Sequence, residues 1–153
     1  MIEIVRESRI QAPAEDIWKI VSDPDRAPEW FTFADRVEVR SGSGVGQLRT
    51  QHGHWGKKPS EVDQEITAYE PNHLLAWRHL AERLNGKPAP RFAASTEFSI
   101  ELTPAGSATL VRLRTRQEPA TPLRGLIMKL FGTKEVAQGM TRSLTTLATL
   151  LTP

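Results

Sequence analysis

The apolar positions of this chain change period along its length, and the changes mark out the elements. From Ile2 to Ile10 they alternate: Ile2, Ile4, Ser8 and Ile10 share one face and Glu3, Glu7 and Arg9 the other, which predicts a half-buried strand. At Ala12-Pro13-Ala14-Glu15-Asp16 the period lengthens. Pro13 suits the first turn of a helix, and the two acids suit its positive end. Ile17, Ile20 and Val21 give that helix its apolar face, with Trp18 beside them. Ser22-Asp23-Pro24 closes it, because the residue before a proline avoids helical angles. A second short helix or turn follows from Pro24 to Phe31.

Alternation returns at Val37 and Val39, and Ser41-Gly42-Ser43-Gly44 makes a turn. Val45 to Gly53 reads as a weak strand, with Leu48 its only large aliphatic residue after Val45, and His54 to Pro59 as the next turn. Val62, Gln64, Ile66 and Ala68 share a face opposite Glu61, Asp63 and Glu65. Leu74 to Leu80 is apolar on both faces, which predicts a central strand, and Asn85-Gly86, flanked by charges and by Pro88 and Pro90, is expected to be a long hairpin loop. Phe92, Thr96, Phe98, Ile100 and Leu102 then share one parity, and Val111, Leu113 and Thr115 face inward beyond the turn at Gly106. Pairing Ile100 with Leu113 sets Glu101 opposite Arg112 and Glu97 opposite Arg116, so the outer arginines Arg112, Arg114 and Arg116 are expected to be neutralised within the sheet.

The last stretch, Thr121 to Leu151, predicts one long helix with Thr121 as N-cap and Pro122 as first residue. Leu123, Ile127, Leu130, Phe131, Val136, Met140, Leu144, Leu147 and Leu151 form its apolar stripe. Gly132 lies where the stripe thins, and a bend or break is expected there. The order is strand, two short helices, six strands, long helix. Hairpin-length connections make the sheet antiparallel. The expected architecture is α+β, a curved sheet wrapped on the C-terminal helix in one domain over residues 1–153, with a hollow between sheet and helix.

Composition narrows the function without naming it. Twenty basic and 18 acidic residues leave a formal charge of +2, too balanced for a nucleic-acid binder driven by overall charge. There is no cysteine, which removes disulfides, thiolate catalysis and cysteine-ligated metals. No start resembling a signal peptide and no apolar run of the roughly 20 residues that span a membrane is present, so a cytoplasmic protein is expected.

Ile10-Gln11-Ala12-Pro13-Ala14-Glu15-Asp16-Ile17-Trp18, followed by Asp23-Pro24 and Pro28-Glu29-Trp30, resembles the START-like superfamily with the pollen-allergen fold. The polyketide cyclase/dehydrase-type branch is the most similar, and Glu70-Pro71-Asn72-His73-Leu74-Leu75-Ala76-Trp77-Arg78 resembles that branch's turn into its middle strand. The resemblance implies a helix-grip fold with a seven-stranded antiparallel sheet around an elongated apolar cavity. It implies lipid, polyketide, hormone or other hydrophobic ligands, in some members with catalysis.

On that fold Trp30 and Phe31 are expected at the cavity mouth, Trp77 and Phe98 on its wall, and Phe131 opposite Trp30 as a second gate. Gln64, His79 and Thr96 are the expected polar contacts. Each aromatic has an alternative role as plain core filling, the stronger assignment for Trp18. His52 and His54 share a face and, with His79, have the residue type of a metal site, but no further ligands stand at a recognisable spacing. No metal and no cofactor are expected. The leading function is binding of a small hydrophobic molecule by a monomer or homodimer. The alternatives are a polyketide cyclase or dehydratase with a cavity histidine or arginine as acid/base, and a protein-interaction module, which a filled interior would favour.

Overall fold

The structure, a computed structural model, describes residues 1–90 and 93–152, with Phe131 described by its backbone alone. Phe92, expected on an inner strand face, lies outside the described residues, as does the side chain of Phe131. The chain begins with β1 (Ile2–Ile10), whose Ile2, Ile4 and Ile10 are buried as the alternation requires. Pro13 takes the N-cap position of α1 (Ala14–Val21), which buries Ile17, Trp18, Ile20 and Val21. A single 3-10 turn, Pro24–Arg26, is capped by Asp23, whose Oδ1 accepts the Asp25 N–H at 2.9 Å, and runs into α2 (Ala27–Trp30).

The strands that follow are β2 (Arg36–Ser41), β3 (Leu48–Trp55), β4 (Lys58–Glu70), β5 (Leu74–Leu84), β6 (Lys87–Pro88), β7 (Ala93–Ala105) and β8 (Ala108–Pro119). All pair antiparallel, in the order β1-β8-β7-β5-β4-β3-β2, with β6 attached to β5. The eighth strand comes from the Asn85-Gly86 hairpin. Both residues adopt positive φ, +56° and +79°, the geometry of a tight two-residue turn that leads straight back into a paired strand. The expected turn from His54 to Pro59 is likewise tighter, because strand pairing continues through Trp55 and resumes at Lys58. Register shifts in β4 between Asp63 and Gln64 and between Ile66 and Ala68 bend the sheet. β5 is central, as its two apolar faces require.

Ile100 pairs with Leu113, Glu101 with Arg112 and Glu97 with Arg116. The outer arginines also reach β1, which the pattern of β7 and β8 alone did not reveal. Arg112 meets Glu7 at 3.0 Å and Glu101 at 3.6 Å, and Arg116 meets Glu3 at 3.0 Å. On the same outer face Arg83 donates to Asp63 at 2.8 Å and holds that carboxyl down at a pKa of about 2.

The C-terminal helix is three pieces: α3 (Pro122–Ile127), a π-helical turn (Met128–Gly132) and α4 (Thr133–Leu151). The break near Gly132 is thus a change of hydrogen-bonding register, with Gly132 at its end. Thr121 caps α3 by accepting the Arg124 N–H. Met140, Leu144 and Leu147 are buried against the sheet, whereas Leu123 and Leu130 are 67% and 64% exposed and do not belong to the inner stripe. At this end the close contact is made by Gly125 against Pro119, so Gly125 and Met128 are buried and the leucines point outward.

Gly139 sits under the ring of Phe33, where an added Cβ would lie 2.5 Å from Phe33 Cζ. The same addition at Gly132 meets nothing within 4 Å. Gly132→Ala should therefore raise unfolding stability by up to about 1 kcal/mol through helix propensity. Gly139→Ala gains the same propensity but must displace a packed ring, and should lower stability by about 1–2 kcal/mol net. Urea denaturation of the two variants reads the opposite signs.

Candidate functional site

Five aromatic rings meet on the inner face of the sheet. Trp77 on β5 and Phe98 on β7 are register partners, and their rings stack at 4.9 Å with an interplanar angle of 15°. Phe31 stands edge-on to both, 5.9 Å from Trp77 and 5.3 Å from Phe98. It also touches Trp30 at 5.0 Å and Phe33 at 5.2 Å. Each such pair adds roughly 0.5–1.5 kcal/mol to simple burial.

The two halves of this cluster are held differently. Trp77 and Phe98 are fixed by ladder hydrogen bonds on both sides of their strands. Trp30, Phe31 and Phe33 belong to a segment whose only helix is four residues long. That segment is tied at a few points. Asp35 N–H donates to His52 O at 2.7 Å, Thr32 N–H to the buried Ser143 hydroxyl of α4 at 2.9 Å, and the Gln51 amide to Phe33 O at 3.4 Å. Ser143 in turn donates to Gly139 O at 2.8 Å.

The hollow expected between sheet and helix is nearly closed. The void beside the cluster measures about 20 Å³, room for about one water molecule, whereas small-molecule sites usually run to several hundred Å³. The physical reason is the aromatic volume: Phe31 and Phe33 swing in from the α2–β2 segment and occupy the space that aliphatic strand residues would leave. The sequence placed Trp30 and Phe31 at the mouth and Trp77 and Phe98 on the wall of an open hollow, and did not count Phe33 among the residues that fill it.

The wall of this void is partly polar. Trp30 is 3% exposed, and its indole Nε1 has no hydrogen-bond partner. Gln64, buried on β4, donates to Gln51 Oε1 at 3.2 Å, and Gln51 donates to Phe33 O at 3.4 Å, so a chain of amides links the sheet to the aromatic segment. Arg49 on β3 is register partner of Gln64 and only 7% exposed. Its Nε and Nη2 both donate to Gln47 Oε1, at 3.0 and 2.6 Å. Burial lowers its pKa from the ordinary arginine value, and the Tyr69 phenol acts in the opposite sense. Asp23 also borders the void, through its capping position before Pro24.

Of the residues singled out in the sequence, Trp30, Phe31, Gln64 and Trp77 border this void, and Phe98 stacks on its wall. Thr96 is buried two residues along β7 on the same face as Phe98. His79 is register partner of Gln64, yet its Nδ1 lies 3.2 Å from Glu82 Oε1. The other two imidazoles engage different acids, His52 with Glu38 at 3.2 Å and His54 with Asp35. Trp18 packs edge-on to Tyr69 at 5.3 Å, away from the cluster. Arg49, Gln51, Phe33 and Ser143 are the site residues that pattern analysis missed. The signal was present for two of them: Arg49 and Gln51 share the inner parity of a strand whose only large aliphatic, Leu48, turns half outward.

A shallower depression of about 190 Å³ lies on the opposite, outer face, among Glu97, Ser99, Glu101, Arg114 and Arg116. Its arginines are paired with Glu3 and Glu101.

A family model described as polyketide cyclase / dehydrase and lipid transport matches residues 1–152. The chain belongs to this family. Among solved structures, the START superfamily protein from Mycobacterium smegmatis superposes with a TM-score of 0.75 at 16% identity, over 98% of this chain and 99% of that one. The ginseng major latex-like protein 151 from Panax ginseng gives 0.78 at 11% identity, over 99% and 98%. Protein MLL2253 from Mesorhizobium loti gives 0.71 at 24% identity, over 98% and 96%. These likenesses establish the helix-grip fold. No curated protein matches the sequence. Among the described residues no helix is long and apolar enough to cross a membrane.

In this member of the polyketide cyclase / dehydrase and lipid transport family, Phe31 is the one ring in contact with all four others. Phe31→Ala should cost about 3–5 kcal/mol of unfolding free energy by chemical denaturation, and Phe31→Leu clearly less. A cost below about 1 kcal/mol would mean that the cluster is not packed as described.

Proposed function

We propose that the protein binds a small, mainly hydrophobic molecule, such as a lipid, a polyketide or another cyclic or acyl compound, between the sheet and the C-terminal helix. The observation that carries this reading is the division of the aromatic cluster between two bodies. Trp77 and Phe98 form a stacked wall on paired strands, while Phe31 leans on it edge-on, with Trp30 and Phe33 packed against Phe31 in the segment that carries all three. Withdrawal of that segment uncovers the wall, and a ligand takes over the contacts that the three rings give up. Trp30, Phe31, Gln64, Trp77 and Phe98 are the proposed ligand contacts, with Thr96 extending the wall along β7. His79 joins them by turning from Glu82, and Phe131 is the proposed gate on the helix side. The family's description, which names lipid transport beside cyclase and dehydrase, supports a hydrophobic ligand. The protein is proposed to act in the cytoplasm as a monomer or homodimer.

An enzymatic reading of the same interior, as a cyclase or dehydratase, has two ionisable side chains at the void to draw on, Asp23 and Arg49. The docking-module reading is favoured by one further observation. With the interior filled, Leu123, Leu126 and Leu130 are exposed at steps of three and four.

Titration with N-phenyl-1-naphthylamine, a neutral apolar fluorophore, separates binding from docking. One probe per chain should bind and quench tryptophan emission. Trp77→Ala or Phe98→Ala should change the Kd by about tenfold, equivalent to about 1.4 kcal/mol, and Trp18→Phe by much less. A wild-type protein that binds no probe would transfer the account to the docking module.

A further inference from the structure

Within the interior, the polar groups are unevenly matched. Arg49 carries a guanidinium with five N–H donors, of which the Nε donor and one on Nη2 are taken, both by a single amide oxygen of Gln47. Among the described residues no carboxylate lies within ion-pair distance of it, although the side chain is nine-tenths buried. Elsewhere in this protein the arginines Arg78, Arg83, Arg112, Arg114 and Arg116 all meet acids at 3.6 Å or less. Arg49 alone among these turns to the inner side of the sheet. Trp30 Nε1, on the other side of the same void, is a second buried donor, without any acceptor. Gln64 has one amide N–H committed to Gln51 and one to spare.

The buried Trp30 N–H without an acceptor carries the full cost of desolvation, and the Arg49 guanidinium meets one neutral amide oxygen in place of a counter-charge; both are satisfied where an anionic acceptor arrives from outside. We propose that the interior site is built for a hydrophobic molecule that carries a carboxylate. Its two oxygens meet the free edge of the Arg49 guanidinium, and the Trp30 indole N–H and the spare Gln64 N–H complete the set. The guanidinium fork matches the planar, two-oxygen geometry of a carboxylate, which a single hydroxyl or ketone does not fill. The apolar body of the ligand lies on the Trp77–Phe98 wall that the α2–β2 segment uncovers. Asp23 stands at the border of the void and opposes an anion. Its Oδ1 is engaged by the Asp25 N–H, and the charge it places there is one the ligand must overcome through Arg49. This inference rests on the ligand-binding reading given above and specifies the ligand class.

The test compares two ligands of one shape, naphthalene-2-carboxylate and naphthalene-2-carboxamide, by calorimetry on the full chain at pH 7.5, with N-phenyl-1-naphthylamine as the neutral reference. The carboxylate should bind about 10- to 100-fold more tightly than the carboxamide, the range expected for a charge-assisted hydrogen-bonded pair. In Arg49→Met the ratio should fall to about one, whatever happens to either affinity. Trp30→Phe should reduce it, and Asp23→Asn should increase it. If Arg49→Met does not fold, the wild-type ratio together with Trp30→Phe and Asp23→Asn decides the matter. Equal binding of the two ligands by the wild type, or a ratio that survives Arg49→Met, overturns the carboxylate assignment while leaving hydrophobic binding intact. If neither naphthyl ligand nor N-phenyl-1-naphthylamine binds, the ligand-binding reading fails and this assignment falls with it.

Discussion

Phe31 is held at the centre of the molecule by contacts that are mostly aromatic and mostly made by other segments. The four-residue helix before it is too short to be stable alone; Phe31 packs on the stacked pair Trp77–Phe98, and Trp30 and Phe33 pack on Phe31. Phe33 in turn occupies the groove at Gly139, and Ser143 takes the neighbouring Thr32 N–H. The sheet, the short helix and the C-terminal helix are thus joined through one patch of rings. The C-terminal helix also packs on β1, where Met140, Leu144 and Leu147 join the same core as Ile4 and Leu113.

The interior beside that patch has two characters. Rings close it to about 20 Å³, while the Trp30 indole N–H has no acceptor and Arg49 meets only the neutral amide oxygen of Gln47. A core selected for stability alone would fill this space with aliphatic side chains and place its arginine outside. Here the closing rings Phe31 and Phe33 and the unsatisfied Trp30 N–H come from the same segment, residues 24–34.

Much of the architecture was legible in the sequence because it rests on period. The alternation in Thr96–Leu102 and Val111–Thr115 fixed both the inner faces and the register of Ile100 against Leu113. The aromatic residues of the cluster were legible as large inner-face residues but not as an arrangement, because side-chain size does not say whether a ring lines a hollow or fills it. Arg49 was hidden for a different reason: β3 has little apolar pattern, so its inner parity becomes visible only through pairing with Gln64. Leu123 of α3 and Leu130 of the π turn misled because they continue a helical stripe that Gly125, packed on Pro119, and the turn at Met128–Gly132 rotate away from the sheet.

The claim that the α2–β2 segment must withdraw for a ligand to enter can be tested by locking it. Thr32 Oγ1 and Ser143 Oγ lie 3.1 Å apart, and the chain contains no cysteine, so Thr32→Cys with Ser143→Cys introduces one disulfide between the segment and α4. The oxidised double variant should exclude N-phenyl-1-naphthylamine, and reduction should restore binding to the level of the unlocked protein. Equal probe affinity in the oxidised and reduced forms would contradict the account, because the ligand would then reach its site without moving the rings that close it.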